Sequence, residues 1–271
     1  MDPEIESILA SSGRNGGQFW ARTDGNIHAP AGFSTLDVLN TLGDLGVKYT
    51  DSDVIIEAID FLFTYYQPDG CFRYNVKSSK LPCITASILT ACGRLGYWNE
   101  RLEACYRRFL ETQEDDGGWR CNTVKLGKSP VTDASNPGTT LYVLDAFLYR
   151  ENSADEMRQL ERGVRFLLDH WDSRVPLGPC QFGIGSTFLK PEYPMLRYNI
   201  LYYCYVLSKY RAAIPDKRFR EAVEVLKTKV TDGNLMNENP HRAWSHYSFA
   251  RKGAASEPAA KKYVEILESC R

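Results

Sequence analysis

A short segment of this chain occurs twice. Tyr66-Gln67-Pro68-Asp69-Gly70-Cys71-Phe72-Arg73-Tyr74-Asn75 returns as Thr112-Gln113-Glu114-Asp115-Asp116-Gly117-Gly118-Trp119-Arg120-Cys121-Asn122. Its Asp-Gly turn has weaker copies at Asp24-Gly25-Asn26 and Asp232-Gly233-Asn234, and Gln181-Phe182-Gly183 reads as the relic of a further one. The first three turns follow one another at about 45 to 47 residues, a period typical of stacked supersecondary units. One such unit cannot bury its apolar face alone and needs its neighbours. Five units of about 50 residues account for nearly all of the 271 residues.

Each unit has the same internal grammar. An apolar-periodic helix runs into the turn, over Asp51 to Tyr66, Trp98 to Thr112, Ala154 to Trp171 and Asp216 to Val230. Asp51 and Ser52 suit a helix N-terminus, and Gly70 and Gly117 suit the left-handed residue that stops the chain. A polar loop follows and then a second helix, over Ser34 to Leu45, Cys83 to Leu95, Gly138 to Tyr149, Met195 to Tyr210 and about Arg242 to Ala250. Pro258 to Ser269 forms a last helix, and strand-like alternation is scarce. The expected fold is all-α: a single domain over 1–271, built as an α/α toroid. Five to six helix pairs would close into a ring, with one helix of each pair inside and the other outside.

Composition narrows the partners. Lys and Arg number 33 against 34 Asp and Glu, a net charge of −1, so no global basic field invites nucleic acid. No apolar run approaches the ~18 residues of a membrane span. The acidic Met1-Asp2-Pro3-Glu4 start is unlike a secretory signal, and the eight cysteines include no Cys-x-x-Cys pair. Those features predict a cytoplasmic protein with reduced thiols. Aromatic residues make up 12% of the chain, enough ring surface to fill a core or line a cavity. Oligomeric state is not encoded in any of these features.

Gln113-x-x-Asp116-Gly117-Gly118-Trp119 resembles the Gln/Trp repeat of the squalene-cyclase and prenyltransferase superfamily. Gln67-x-Asp69-Gly70-x-Phe72 is a weaker copy, and Gly16-Gly17-Gln18-Phe19-Trp20 a frayed one. The resemblance implies an α/α toroid with a central cavity and an isoprenoid substrate. The repeat motif itself is expected to be structural, with the Gln amide and the aromatic ring holding one repeat to the next. The superfamily's chemical signatures are not matched. No Asp-x-Asp-Asp occurs, since Asp51-Ser52-Asp53 is followed by Val54. Asp115-Asp116 is followed by Gly-Gly-Trp rather than by the rest of an Asp-Asp-x-x-Asp magnesium motif. Asp69-Gly70-Cys71 has the Asp-x-Cys spacing of the prenyltransferase zinc site but sits in a repeat turn. Cys83 and His246 lie nearer the right places, and a zinc site needs three or four ligands. Neither zinc nor magnesium is therefore expected as a cofactor.

Aligning the second helices gives columns of residues. Thr35, Thr85 and Thr140 share one; Asp37, Ser87, Tyr142 and Tyr205 a second; Asn40, Thr90, Asp145 and Ser208 a third. Residues three apart lie on one helix face, so the last two columns form a polar and aromatic stripe opposite an apolar one. Hydrogen bonding between neighbouring helices would account for such a stripe. As a cavity wall it would instead offer Asp37 and Asp145 as acids, with Tyr142, Tyr198, Tyr202 and Tyr205 as π surfaces for a cation. The loops after the turns share a second pattern, Phe72-Arg73-x-Asn75-x-Lys77 and Trp119-Arg120-x-Asn122-x-x-Lys125. Arg73, Lys77, Arg120 and Lys125, with His241 and Arg242, would form a basic rim for an anionic head group, or remain solvated loop charges.

The leading expectation is an enzyme that binds an isoprenoid or similar amphipathic ligand, head group at the rim and tail in an aromatic cavity. It would resemble a terpenoid cyclase or prenyltransferase. The alternatives are a non-catalytic ligand-binding or scaffold protein on the same fold, and a carbohydrate-active α/α toroid using Asp37 and Asp145 as acid and base.

Overall fold

A computed structural model describes residues 2–122 and 125–271 of the chain. It is all-α: among the described residues, strands occur only as four two-residue stubs. The chain forms two compact units, Met1–Thr112 and Gln113–Arg271.

The first unit contains α1 (Pro3–Ala10), α2 (Thr35–Asp44), α3 (Asp53–Phe63), α4 (Pro82–Leu95) and α5 (Glu100–Glu111). β1 (Tyr66–Gln67) and β2 (Cys71–Phe72) pair as an antiparallel hairpin in which Tyr66 opposes Phe72. Of the expected N-cap residues, Ser52 takes the role. Ser34 and Asp37 close a capping box on α2, Ser52 caps α3, and Asn99 accepts from two backbone N–H groups at the start of α5. α4 ends at Gly96, whose φ of +75° is open to glycine at little cost. α2 packs along α4, and Asn40 ties the two by donating to the Ser87 carbonyl and hydroxyl, each at 3.1 Å.

The second unit contains α6 (Pro130–Asp133), α7 (Pro137–Ala146), α8 (Ala154–Ser173), α9 (Ile200–Ser208), α10 (Lys217–Lys227) and α11 (Glu257–Ser269). β3 (Val230–Thr231) pairs with β4 (Asn234–Leu235) across the Asp232-Gly233 turn. The expected relic at Gln181 is a real turn, with Leu177 bridged to Phe182 across it. All nine residues of α9 are buried, and in α7 only Tyr142 reaches solvent. α8 and α10 instead carry a charged face and bury one apolar stripe. Helices apolar on every side belong inside a fold, and amphipathic ones cover them. α7 packs on α8 and α9, and α9 on α10 and α11.

The repeat turns are fastened alike. Gly70 and Gly117 have φ values of +72° and +91°, and a Cβ on either would meet a carbonyl oxygen of a later helix, α5 for Gly70 and α8 for Gly117. That oxygen is Ala104's at 2.7 Å in the first case and Arg162's at 2.6 Å in the second. Only glycine fits both the backbone and the gap. Gln113 donates from one amide nitrogen to the Gly117 carbonyl at 2.6 Å and to the Gln159 carbonyl of α8 at 3.0 Å. The expected structural role of the motif is thus visible in its bonds.

Three expectations about elements are corrected. Arg242 to Ala250 is not an α-helix but two short 3-10 turns, Arg242–Trp244 and Ser248–Ala250. The rings of Tyr247 and Phe249 stack there at 5.5 Å and 11°, and residues two apart on an α-helix point away from each other. α9 begins at Ile200 rather than Met195, because the Asn199 side chain caps Leu201 and Tyr202. α1 has no counterpart among the expected helices. Among the described residues, no helix is long and apolar enough to cross a membrane.

Candidate functional site

The columns aligned from sequence have a structural counterpart. Asp37, Ser87 and Tyr142 are half-buried, and the residues immediately before and after each are buried. Tyr205, their partner in α9, is buried. The threonine column has a different task. Thr85 and Thr140 accept backbone N–H groups from the repeat turns, and Thr35 donates to the Phe19 carbonyl at 2.5 Å.

Three of the expected site residues meet. Tyr142 and Asp145 lie one turn apart on α7, and Tyr202 comes from α9. The Tyr202 hydroxyl donates to Asp145 Oδ2 at 2.5 Å, and its ring stacks on that of Tyr142 with centroids 5.8 Å apart at 28°. Asp145 is wholly buried. The cluster therefore runs from a sheltered carboxyl, through a phenol, to a half-exposed aromatic face. Tyr210 donates to the Leu144 carbonyl at 2.6 Å, which fixes α7 beside this group.

The other candidates lie elsewhere. Asp37 accepts from both the backbone N–H and the hydroxyl of Ser34, at 3.0 and 2.8 Å, as the acidic half of the capping box. Tyr198 precedes the Asn199 cap and sits in a ring cluster with Phe188, Phe182 and Tyr203. Its hydroxyl meets His170 Nδ1 at 3.0 Å, and full burial pushes its pKa well up. His170 Nε2 faces the Val175 carbonyl at 3.0 Å, which can only accept. Nε2 therefore carries the proton, Tyr198 donates to Nδ1, and burial draws the His170 pKa down. The ammonium groups of Lys209 and Lys262 lie 4.9 and 4.4 Å from the Tyr205 ring centroid, and both lysines face Glu265.

The basic residues divide into two kinds. Arg120 makes a two-pronged ion pair with Glu114 at 3.1 and 3.0 Å. Its repeat equivalent, Arg73, donates to Gln67 Oε1 at 3.4 Å and to the Ser78 carbonyl. Each arginine thereby closes its own loop. Lys77, Lys125 and Arg242 are exposed, and His241 caps the Arg242–Trp244 turn by accepting from Ala243. Cys83 is half-buried in the first turn of α4, while His246 is exposed with its ring 4.1 Å from that of Tyr247. Among the described residues, no three His, Cys, Asp or Glu side chains gather as a metal site.

Sequence reasoning passed over one close pair, Cys121 and Cys180, whose sulfurs lie 3.8 Å apart. Nothing in their spacing could have joined them.

The fold and these bonds define an all-α protein of paired, repeating helices. No known family profile matches the chain, and no curated protein matches it. Among solved structures it is similar to a variant of the type II terpene cyclase MstE from Scytonema, described as a complex with its substrate geranylgeranyl dihydroxybenzoate. That match has 16% identity and a TM-score of 0.48, and covers 100% of this chain and 83% of that one.

Proposed function

We propose that this chain is an isoprenoid-binding enzyme, cyclase- or prenyltransferase-like, whose residues 1–271 form a single α/α toroid domain. The observation that carries the reading is the bond of Tyr202, whose ring stacks on that of Tyr142, to the buried Asp145 carboxyl. A phenol hydrogen-bonded to a buried carboxyl fixes the direction in which the carboxyl can exchange a proton. Aromatic faces stabilise a developing cation through their quadrupole. An acid beside two tyrosine rings therefore suits protonation of an alkene and shelter of the resulting carbocation. The repeat motif resemblance points to the same substrate class.

In this reading Asp145 is the acid and Tyr142 and Tyr202 are the π surface. Asp37 is assigned to its capping box, which leaves a two-carboxylate glycosidase pair without its second member. The anionic head group is assigned to exposed Lys125 and Arg242 with His241, all in the second unit, while Arg73 and Arg120 each close their own loop.

The test is titration with geranylgeranyl diphosphate, followed by product analysis. Saturable binding that Tyr142→Ala weakens about tenfold, with turnover lost in Asp145→Asn while binding stays, supports the enzyme. Binding without turnover in the unaltered chain favours the non-catalytic ligand carrier. Absence of binding to any prenyl chain overturns both.

A further inference from the structure

We propose that Cys121 and Cys180 form a peroxide-reactive dithiol that closes to a disulfide and locks the entrance segment of α7. The two sulfurs are in van der Waals contact at 3.8 Å, although the residues are 59 positions apart. Cys121 is buried directly after the Trp119 repeat turn, and Cys180 is exposed in the turn between Leu177 and Phe182. One thiol is open to solvent and the other waits behind it, the arrangement of an attacking and a resolving cysteine. The Cys121 sulfhydryl, hydrogen-bonded to the Cys180 sulfur, holds the Cys180 thiol below its ordinary range despite the opposing effect of burial. The other exposed thiol, Cys270, is pushed up by burial, and Cys92 is driven to about 12.

The chemistry balances with a hydroperoxide as oxidant. The Cys180 thiolate attacks one peroxide oxygen, an S–O bond forms, and the O–O bond breaks. With hydrogen peroxide the departing hydroxide takes up a proton and leaves as water. The Cys121 sulfur then attacks the Cys180 sulfenic acid, the S–O bond breaks, and hydroxide leaves with the Cys121 proton as a second water. Two thiols are oxidised by two electrons in total, and one peroxide is reduced. A disulfide needs about 2.05 Å between sulfurs, so the turns must close by under 2 Å.

The bridge would clamp what non-covalent bonds already gather around the first turn of α7. Asn136, its cap, donates its backbone N–H to the Trp119 carbonyl at 2.8 Å and its side-chain amide to the Leu177 carbonyl at 3.3 Å. The Phe182 ring lies over Gly138, 3.0 Å from where a Cβ would stand. Oxidation would therefore hold in place the helix that carries Tyr142 and Asp145.

The experiment treats the whole purified chain with one equivalent of hydrogen peroxide and digests it with trypsin without reduction. Linked peptides 121–125 and 175–197, with titratable thiols falling from eight to six, support the proposal. In Cys121→Ser, dimedone should label Cys180, and in Cys180→Ser the link should vanish. Both variants are checked for native circular dichroism. Iodoacetamide at pH 7 should alkylate Cys180 about tenfold faster than Cys270. Unlinked peptides with Cys180 still a thiol, or Cys270 oxidised ahead of it, would overturn the proposal.

Discussion

Phe72 and Thr85 are joined by a bond from the Phe72 backbone N–H to the Thr85 hydroxyl oxygen, at 3.0 Å and 13 residues' separation. Trp119 and Thr140 repeat it at 3.0 Å across 21 residues. The loop between turn and helix has grown, yet the fastening is unchanged. The aromatic of each turn is thus pinned to the helix that begins the next layer.

Replacing that threonine should therefore cost stability in proportion to the donor left behind. Thr85→Val keeps the shape and removes the acceptor for a buried N–H, a loss of about 1–3 kcal/mol. Thr85→Ser should recover most of it. Urea unfolding of the three proteins decides the matter; a valine variant as stable as the parent would remove the threonine column from the account.

The repeat glycines can be ranked against a control. Gly117→Ala places a Cβ 2.6 Å from the Arg162 carbonyl oxygen at a φ of +91°, so it carries both a clash and backbone strain. Gly127→Ala, at φ +67°, has nothing within 4 Å and carries strain alone, about 1 kcal/mol. Thermal melts should show Gly117→Ala well below Gly127→Ala. Equal melting temperatures would mean that α8 does not seat against the turn.

Tyr202→Phe deletes the hydroxyl that meets buried Asp145 and should destabilise the protein by about 1–3 kcal/mol. Tyr142→Leu changes a half-exposed ring and should cost less. Chemical denaturation of both compares them directly. The reverse order would mean that the Tyr202–Asp145 bond contributes little to the fold.

Acid should loosen the second unit through His170. Burial lowers its folded-state pKa, so the unfolded chain, with an ordinary value near ~6.5, takes up the proton first. Stability from the neutral ring is intact above about pH 6.5 and falls as pH drops below it, by at most about 1.4 kcal/mol per pH unit. His170→Gln should flatten that dependence between pH 6.5 and 5 when unfolding is followed by Trp fluorescence. An unchanged slope would place the acid sensitivity in other groups.

Much of the fold can be read locally. The Asp-Gly turns, the serine and asparagine caps and the apolar periodicity are short-range features. They locate α2 to α5, α8, α10 and α11 to within a few residues. Arg242 to Ala250 misleads because its aromatic spacing imitates a helix while the rings pack on one another instead. The site was legible only in part. Helix spacing singles out Tyr142 and Asp145 but also Asp37, and the Tyr-rich helix offers Tyr202 and Tyr198 alike, although Asp37 and Tyr198 have their partners elsewhere.

The sequence by itself determined the repeating all-α plan, since period, caps and glycine turns act over a few residues and depend on backbone geometry alone. Tertiary structure alone decided which side chains meet. Tyr198 falls before the Asn199 cap and so lies outside α9, the helix expected to carry it. Asp145 and Tyr202 are 57 residues apart, and Cys121 and Cys180 are 59. Such pairs form because packing brings distant segments within bonding distance, and no periodicity in the chain records that distance.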